Sequence, residues 1–350
     1  MTNSELNQRA IRVPLERGEH IRKKLADQNI IDKSRKLQVK IIDSRKFLEI
    51  PIIKDIPGYN IVLQDNPVSY GQMLTLKSIL KNKINKSELD ELPRGWQILG
   101  DIIIVSISDT LSYKKELISD SLLQLYPKIK SVVQDFGISG QYRVPSRTLI
   151  RGTKTETIHK ENECYYKLDV TKIMFSKGNM HERKLMANIG YNETIVDMFA
   201  GIGYFTLQIA KHSKPKQIIA IEINPVSFKY LLENIELNQV QDKVIPINDD
   251  CSNAAPVGIA DRVIMGYVGI THEYLIYALK SIKNSGGILH YHETVPEPLI
   301  ETRPVERVKD VAQELNLDIE LISKRKVKKY SPGIWHTVFD YKVKNKNKIQ

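Results

Sequence analysis

The sequence is poor in cysteine and has no long apolar segment. The two cysteines, Cys164 and Cys251, lie far apart and in no metal-ligand spacing, which argues against a disulfide framework or a zinc site and fits a reducing, cytoplasmic location. No run approaches the roughly 18 apolar residues that a membrane span requires. The polar first ten residues do not resemble a signal peptide. We therefore expect a cytoplasmic protein with neither a membrane segment nor a metal.

Acidic residues are too few to balance the basic ones. The 350 residues include 52 Lys and Arg against 41 Asp and Glu, which is a formal net charge of +11. The surplus lies toward both ends: residues 1–50 contain 12 basic and 7 acidic residues, and lysines recur between positions 324 and 348. This balance favours a polyanionic partner such as nucleic acid, through counterion release, although a basic solvated surface is an alternative explanation.

Composition and proline placement divide the chain into three parts and a tail. We predict a basic N-terminal domain over 1–92, a β-rich middle domain over 93–172, a catalytic domain over 173–345 and a lysine-rich tail over 346–350. Pro93 marks the first boundary, because proline forces the preceding residue into an extended conformation and ends a helix. The elements predicted before residue 172 are a helix at 7–27 and strands at 39–42, 101–107 and 147–151, followed by a hairpin over 157–169 that turns near 161–163.

Beyond residue 173, strands alternate with helices. The predicted strands are 194–199, 217–223, 243–247, 261–268, 287–293, 318–325 and 333–343, and the predicted helices are 204–212, 227–238, 271–283 and 305–315. This alternation is typical of a doubly wound parallel sheet, and the last two strands, with no helix between them, predict an antiparallel hairpin at its edge. The fold class is therefore α/β: a Rossmann-like class I methyltransferase domain preceded by smaller α+β regions.

A glycine-rich turn indicates where a cofactor binds. Gly201 and Gly203 lie where the first strand of this domain turns into a helix, so the backbone can approach a ligand closely and the helix offers free amide donors. Glu222 follows 19 residues after Gly203, at the end of the next strand, where an acidic residue can accept both ribose hydroxyls of a nucleoside. Glycine pairs alone are weak evidence, but together with Glu222 they predict a nucleoside-bearing cofactor.

Two further features favour S-adenosylmethionine over a dinucleotide. Thr206 occupies the position at which a dinucleotide site has its third glycine, and Asp197 suits a cationic sulfonium better than a pyrophosphate. Asp249 and Asp250 end the third strand, where a carboxylate can take the adenine amino group. The alternative for this pair is a solvated loop.

At this point the chain resembles the guanosine-37 tRNA methyltransferases and their wybutosine-pathway relatives. The resemblance lies in the segment 169–179 followed by Glu182-Arg183. It implies that Ser176 and Arg183 contact the cofactor, that Glu222 follows the second strand, and that Asp249 and Asp250 form the acidic pair after the third. Asn248 and Cys251 depart from the glycine and basic residue that usually flank this pair.

The end of the fourth strand distinguishes the branches of the superfamily. The methyltransferases have an Asn-Leu-Pro or Asn-Pro-Pro type loop there, whereas this chain has Gly266-Tyr267-Val268. Together with the segments 271–273 and 287–293, this loop is similar to archaeal wybutosine-synthesising protein 2, a family of tRNA 4-demethylwyosine aminocarboxypropyltransferases. The resemblance implies transfer of the 3-amino-3-carboxypropyl group of S-adenosyl-L-methionine to carbon 7 of a tricyclic base at position 37, in the anticodon loop of tRNA(Phe).

The candidate catalytic residues are less well determined. Presenting the γ-carbon of the methionyl chain to the base requires that chain to be held. Arg183 is the family's candidate for its carboxylate, unless it is a surface arginine paired with a neighbour. Tyr267 is a candidate for stacking on a flipped base, or a core residue. His290 and His292 lie on one face of a strand, either near the substrate base or as hydrogen-bonded core residues, and nothing near them has metal-ligand spacing.

The resemblance therefore implies a tRNA aminocarboxypropyltransferase. The first alternative is a tRNA guanosine-37 N1-methyltransferase, which releases S-adenosylhomocysteine in place of methylthioadenosine. An RNA-binding module without catalytic activity would show no cofactor affinity, and a small-molecule methyltransferase would leave the basic N-terminal region unexplained.

Overall fold

The chain folds into two compact units, residues 1–79 and 80–350. A computed structural model describes residues 8–69, 74–140 and 143–346, so only Lys346 of the predicted tail lies within it. In these three ranges no helix is long and apolar enough to cross a membrane, and both cysteines are buried and unbridged. The division between the units lies after residue 79, before the domain boundary predicted after residue 92. The predicted domain boundaries remain predictions.

The first unit is a four-stranded antiparallel sheet with a helix on one side. Its elements are β1 (Arg9–Pro14), α1 (Leu15–Asp27), β2 (Gln38–Ile42), β3 (Arg45–Pro51) and β4 (Ile61–Leu63), with strand order β2-β3-β1-β4. Ile11 and Val13 of β1 pack with Leu25 of α1 and Ile50 of β3 in a small core. A short helix α2 (Leu76–Leu80) lies where the two units divide.

The predicted helix over 7–27 is wrong in its first half. Residue 7 lies outside the described ranges, and β1 pairs with both β3 and β4 as an inner strand, so that Ala10 and Ile11 are fully buried. Pro14 explains the change of structure, because proline lacks the N–H of a helix interior but suits the position just before one. The helix begins only at Leu15.

The second unit opens with a mixed sheet and a hairpin. Its first elements are α3 (Lys86–Glu91), β5 (Gln97–Leu99), β6 (Ile102–Val105), a 3₁₀ turn (Asp109–Lys114), α4 (Lys115–Leu125), β7 (Ser131–Ser139), β8 (Val144–Arg151), β9 (Glu156–Glu161) and β10 (Cys164–Asp169). Strands β5-β6-β7-β8 form one sheet and β9-β10 the predicted hairpin. Helix α4 was not predicted, although it buries Ile118 and Leu122 at the i, i+4 spacing of an amphipathic helix.

The large sheet has seven strands in the order β13-β12-β11-β14-β15-β17-β16. Its elements are a 3₁₀ turn (Lys177–Asn179), α5 (Met180–Met186), β11 (Thr194–Asp197), α6 (Thr206–His212), β12 (Gln217–Ile221), α7 (Pro225–Leu237), β13 (Val244–Ile247), α8 (Cys251–Ala254), β14 (Arg262–Met265), a 3₁₀ turn (Thr271–Tyr274), α9 (Leu275–Ser281), β15 (Gly287–Pro296), a 3₁₀ turn (Glu297–Leu299), α10 (Arg303–Glu314), β16 (Leu317–Ser331) and β17 (Ile334–Asn345). Five strands are parallel, and β17 and β16 add the predicted antiparallel hairpin. The predicted α/β fold is confirmed.

Alternate residues of the large sheet face two different cores. Ile195 packs in one core with α6 and α7, while Val196 packs in the other with α9 and α10. The first core also contains Leu99 and Val133 of the mixed sheet and Tyr166 of the hairpin. Because these side chains share one core, the predicted middle and catalytic domains pack as one compact unit. The hairpin β9-β10 thereby lies against the helices that follow the glycine-rich turn.

Candidate active site

A cavity opens at the carboxyl ends of the parallel strands, where β11 lies between β12 and β14. From β11 the chain continues outward through β12 and β13 and then returns to β14 on the other side of β11. Open α/β sheets bind their ligands where the strand order reverses in this way. The predicted site residues that line the cavity are Ser176, Arg183, Gly201, Glu222, Asp249, Asp250 and Tyr267. Four other predicted residues do not line it: Asp197, Gly203, His290 and His292. The structure thus separates the candidates into a lining set and a supporting set.

The glycine-rich turn brings its backbone to the cavity through Gly201. This residue has a φ of +59°, and a Cβ there would lie 2.5 Å from the Tyr204 ring, so both the conformation and the packing require glycine. Its N–H donates to Glu222 Oε2 at 2.7 Å. Gly203 has a φ of +98° and packs against Leu207, so it shapes the turn from behind.

Glu222 directly follows β12, and its carboxylate is held by two backbone amides. Oε2 accepts from Gly201 and Oε1 accepts from the Asn224 N–H at 2.8 Å. Burial raises the pKa of Glu222, while these two hydrogen bonds oppose the rise. Each carboxylate oxygen retains a further lone pair. The group is therefore oriented and can accept the two hydroxyls of a ribose.

Asp249 and Asp250 follow β13 and line the cavity. Asp249 Oδ1 accepts from the Asp250 N–H at 2.6 Å, and Asp250 Oδ1 caps α8 by accepting from the Ser252 N–H at 2.8 Å. Asn248, which departs from the family pattern, donates to the Glu222 carbonyl at 2.7 Å. Both carboxylates line the cavity, so the pair is not a loop remote from it.

Asp197 faces the protein interior, which contradicts the interpretation that it faces a sulfonium. Its side chain is completely buried, accepts from the Thr206 hydroxyl at 2.8 Å and lies 3.4 Å from the Phe199 N–H. Burial raises the pKa of Asp197 to about 6. The carboxylate thus ties the start of α6 to the end of β11. The sequence could not reveal this orientation, because an aspartate at the end of a strand has access to either side of the turn.

Arg183 is buried and its charge is already paired. Nε and Nη2 donate to the two carboxylate oxygens of Glu161 at 2.6 and 2.7 Å, and Nη1 donates to the Ser176 carbonyl at 3.0 Å. The guanidinium also lies over the Phe175 ring, 4.6 Å from its centroid. The alternative of a surface arginine is therefore wrong. Glu161, from the β9-β10 hairpin, is a partner that was not predicted from the sequence.

Tyr267 lies on the fourth-strand loop and borders the cavity. Its ring stacks on Phe199 with centroids 5.4 Å apart and an interplanar angle of 27°. Gly266 allows this approach of the loop, because a Cβ there would lie 2.5 Å from the Phe205 ring. The position of Tyr267 is compatible with contact to a substrate base, which stays a prediction.

His290 and His292 belong to a buried network under the sheet. His290 Nδ1 lies 2.6 Å from Asp340 Oδ1, and its Nε2 lies 2.7 Å from Arg262 Nη1. His292 Nδ1 lies 3.1 Å from His336 Nε2, and burial lowers the pKa of His292 to about 3, so its ring is neutral. Neither side chain reaches the cavity, so the structure contradicts a direct catalytic role and favours the alternative of hydrogen-bonded core histidines. Within the described ranges no group of three His, Cys, Asp or Glu residues could hold a metal, so a metal-free site stays a prediction.

A set of polar residues at the end of the cavity near Arg183 was not predicted from the sequence. They are Arg143, Asn179, Lys328, Tyr330 and His336. Lys328 donates to Ser176 Oγ, and burial, with the charges of Arg143 and Arg183, lowers its pKa to about 8. Lys328 was counted only within the lysine-rich surplus, because nothing in its sequence neighbourhood indicates that β16 returns to Ser176.

Together these residues give the cavity two chemically different ends. We call the carboxylates of Glu222, Asp249 and Asp250 the acidic end, since Asn248, which precedes Asp249, donates to the Glu222 carbonyl. We call the cations of Arg143, Arg183 and Lys328 the cationic end, since Arg183 and Lys328 both donate to Ser176. Acceptors at the first end suit ribose hydroxyls and an adenine amino group. Cations at the second suit a carboxylate or another electron-rich group. Polar atoms that lack hydrogen-bond partners within the described residues, Asn179 Oδ1 and His336 Nδ1, also lie on cavity-lining residues. These features fit S-adenosylmethionine.

The chain is similar to known proteins over most of its length. The profile of the TRM5/TYW2 methyltransferase domain matches residues 157–321, that of the TYW2 N-terminal domain residues 76–155, and that of the tRNA methyltransferase 5 N-terminal domain residues 10–60. A tRNA(Phe) (4-demethylwyosine(37)-C(7)) aminocarboxypropyltransferase of Methanocaldococcus jannaschii is 46% identical over 251 residues, which are 71% of this chain and 97% of that protein.

The chain is also similar to a solved TYW2 structure and to a methyltransferase of the same family. The crystal structure of Pyrococcus horikoshii TYW2 in complex with MeSAdo matches with a TM-score of 0.69 and 39% identity, covering 77% of this chain and 97% of that one. The tRNA (guanine(37)-N(1))-methyltransferase Trm5b of Pyrococcus abyssi is 33% identical over 344 residues, which are 95% of this chain and 98% of that protein. Identity is thus higher to the aminocarboxypropyltransferase, while the alignment with the methyltransferase extends over more of this chain.

Proposed function

Because the chain belongs to the TRM5/TYW2 family, we propose that it transfers the 3-amino-3-carboxypropyl group of S-adenosylmethionine to carbon 7 of 4-demethylwyosine, or a related tricyclic base, at position 37 of tRNA(Phe). The chain is a transferase, and S-adenosylmethionine is its donor. The observation that supports this function over methyl transfer is the 46% identity to an aminocarboxypropyltransferase across nearly all of that relative, against 33% to a methyltransferase.

The acidic end of the cavity would hold the nucleoside of the donor. We assign the ribose hydroxyls to Glu222, whose carboxylate is held in place by Gly201 and Asn224. We assign the adenine to the segment of Asp249 and Asp250, next to the start of α8. Ser176 and Arg183 would border the methionyl part from the other end of the cavity.

The donor contributes an electrophilic carbon next to a sulfonium. With the donor bound, a bond would form between base carbon 7 and the γ-carbon, and the bond from that carbon to sulfur would break with its electron pair staying on sulfur as methylthioadenosine. Carbon 7 would release its proton to solvent. The protein selects the reacting carbon by holding the methionyl chain in place. We propose that Tyr267, stacked on Phe199, contacts the base and that Asp197 only supports the turn.

The substrate is proposed to be tRNA, bound through its anticodon loop in the cytoplasm. The formal charge of +11 supports a polyanionic partner. The first unit, which matches the tRNA methyltransferase 5 N-terminal domain, exposes the basic residues Arg17, Lys23 and Lys24 on α1. We propose that this unit contributes to tRNA affinity and takes no part in the chemistry.

A double-label experiment tests the proposed reaction. Wybutosine-pathway tRNA bearing the tricyclic base is incubated with S-adenosylmethionine labelled either in the methionyl carboxylate or in the methyl group. We expect carboxylate label on the tRNA, no methyl label, and methylthioadenosine as the by-product. Methyl label alone on the tRNA, with S-adenosylhomocysteine released, would instead assign the chain to methyl transfer.

A further inference from the structure

The cationic end of the cavity contains a lysine whose charge is offset by no carboxylate of the described residues. Arg183 shares its charge with Glu161, whereas Lys328 forms no ion pair with any residue in the described ranges and donates only to the neutral hydroxyl of Ser176. Burial and the nearby charges of Arg143 and Arg183 lower its pKa to about 8. A partly desolvated ammonium surrounded by like charge is destabilised unless an anion binds beside it.

The strand pairing holds Lys328 at the cavity. In the hairpin of β16 and β17, Lys328 lies directly across from His336, which also borders the cavity. Burial lowers the pKa of His336 to about 2, so this neighbour is neutral and does not compete for an anion. On the other side, a Cβ on Gly178 would lie 2.6 Å from Lys328 Cδ, so the lysine stem packs directly over Gly178.

An acceptor without a partner in the described ranges follows Gly178, the residue over which the Lys328 stem packs. Asn179 follows Gly178 in the chain and borders the cavity, and its buried Oδ1 accepts no hydrogen bond from the described part of the chain. An unsatisfied buried acceptor is rare in folded proteins and is expected to meet a donor. Among the described residues, a cation without a counter-charge and an acceptor without a donor thus line the same cavity as Glu222 and Asp249.

We infer that Lys328 binds the α-carboxylate of the donor and that Asn179 accepts a hydrogen bond from its α-ammonium. The inference rests on the proposed function and names the residues that hold the group to be transferred. It assigns the carboxylate to a lysine of β16 in preference to Arg183, whose Nε and Nη2 are both engaged with Glu161. Lys328 and Asn179 are positioning residues: they hold the distal end of the chain whose γ-carbon reacts.

Calorimetry with three ligands separates the two interactions. S-adenosylmethionine has the carboxylate and the ammonium, decarboxylated S-adenosylmethionine has only the ammonium, and methylthioadenosine has neither. In the full-length protein, Lys328→Gln is expected to weaken S-adenosylmethionine binding about 10- to 100-fold, the loss of one charge-assisted hydrogen bond, and to leave the other two affinities unchanged. Lys328→Arg should restore most of the loss. Asn179→Ala should weaken both amine-bearing ligands and leave methylthioadenosine unchanged.

Lys329→Gln is the matched control. Lys329 is the next residue on β16 and is exposed, with its ammonium 5.6 Å from the centroid of the Trp335 ring, outside the cavity. Its substitution should change none of the three affinities. Equal losses for all three ligands in Lys328→Gln would mean a structural role and would overturn the inference, as would no loss at all. A wild-type protein that binds neither S-adenosylmethionine nor methylthioadenosine would instead refute the proposed function.

Discussion

Arg183 and Glu161 form a buried bidentate ion pair that joins helix α5 to the β9-β10 hairpin. Nε and Nη2 lie 2.6 and 2.7 Å from the two carboxylate oxygens, and the side chains are 2% and 7% exposed. The pair determines where α5 lies against the cavity, since Arg183 also donates to the Ser176 carbonyl. Because Glu161 neutralises its charge, Arg183 is not an unpaired cation, although the family motif made it the candidate for binding a carboxylate.

Removing the acidic partner should therefore destabilise the fold. Glu161→Gln leaves the Arg183 guanidinium buried without a counter-charge, and we expect a loss of about 3 kcal/mol in the free energy of unfolding. Denaturant unfolding measures the effect. Glu163→Gln, in the same turn but exposed, is the control and should change stability little. Equal stability of the two variants would show that the pair contributes nothing to the fold.

Asp197 should produce a pH dependence of stability. Its pKa in the folded protein, raised by burial to about 6, exceeds its ordinary value of 3.8, so the stability it contributes below pH 3.8 is lost as the pH rises through about 6. Asp197→Asn should remove this dependence and be the more stable protein at pH 7, by up to about 3 kcal/mol. Thermal unfolding between pH 4 and 7 measures both. S-adenosylmethionine affinity should not change, and a loss of affinity would return Asp197 to the binding site.

Glu222 should bind the ribose, which S-adenosylmethionine and methylthioadenosine have in common. We expect Glu222→Ala to weaken S-adenosylmethionine and methylthioadenosine equally, by about 1–3 kcal/mol, because ribose hydroxyls lose their acceptor in either case. Calorimetry of both ligands tests this, with the exposed Glu236→Ala on α7 as the control. Unchanged affinities in a folded Glu222→Ala protein would exclude the ribose contact. A loss for S-adenosylmethionine alone would place Glu222 at the methionyl end.

The exposed basic residues Arg17, Lys23 and Lys24 of α1 should raise tRNA affinity by binding phosphates. Replacing Arg17, Lys23 and Lys24 with Gln is expected to weaken tRNA binding and to reduce the slope of log affinity against log salt by about 0.7–0.9 for each phosphate that the variant no longer neutralises. Gln28→Ala, an exposed uncharged change at the end of the same helix, is the control. Identical binding of the triple variant and the wild type at every salt concentration would assign the first unit another role.

The parts of the site that could be predicted depend on residues close in sequence. Gly201 lies on the turn that directly follows β11, and Glu222 directly follows the next parallel strand, so chain order alone brings them to one edge of the sheet. The alternation of strands and helices likewise predicts the order of elements in the catalytic domain. The prediction fails before Pro14, because the helical pattern of the residues after it was extended back over residues 9–14, which form β1.

Local sequence was sufficient for the α/β architecture, for the meeting of Gly201 and Glu222 at one cavity and for the class of reaction, because each follows from periodicity, from chain order or from motifs that resemble a family. The electrostatics of the other end depend on the tertiary fold. Lys328 reaches Ser176 across 152 positions, and Glu161 reaches Arg183 from a hairpin of the preceding region. Whether a cation is neutralised or free depends on which carboxylate lies within about 4 Å in space, and spacing along the chain does not determine that distance.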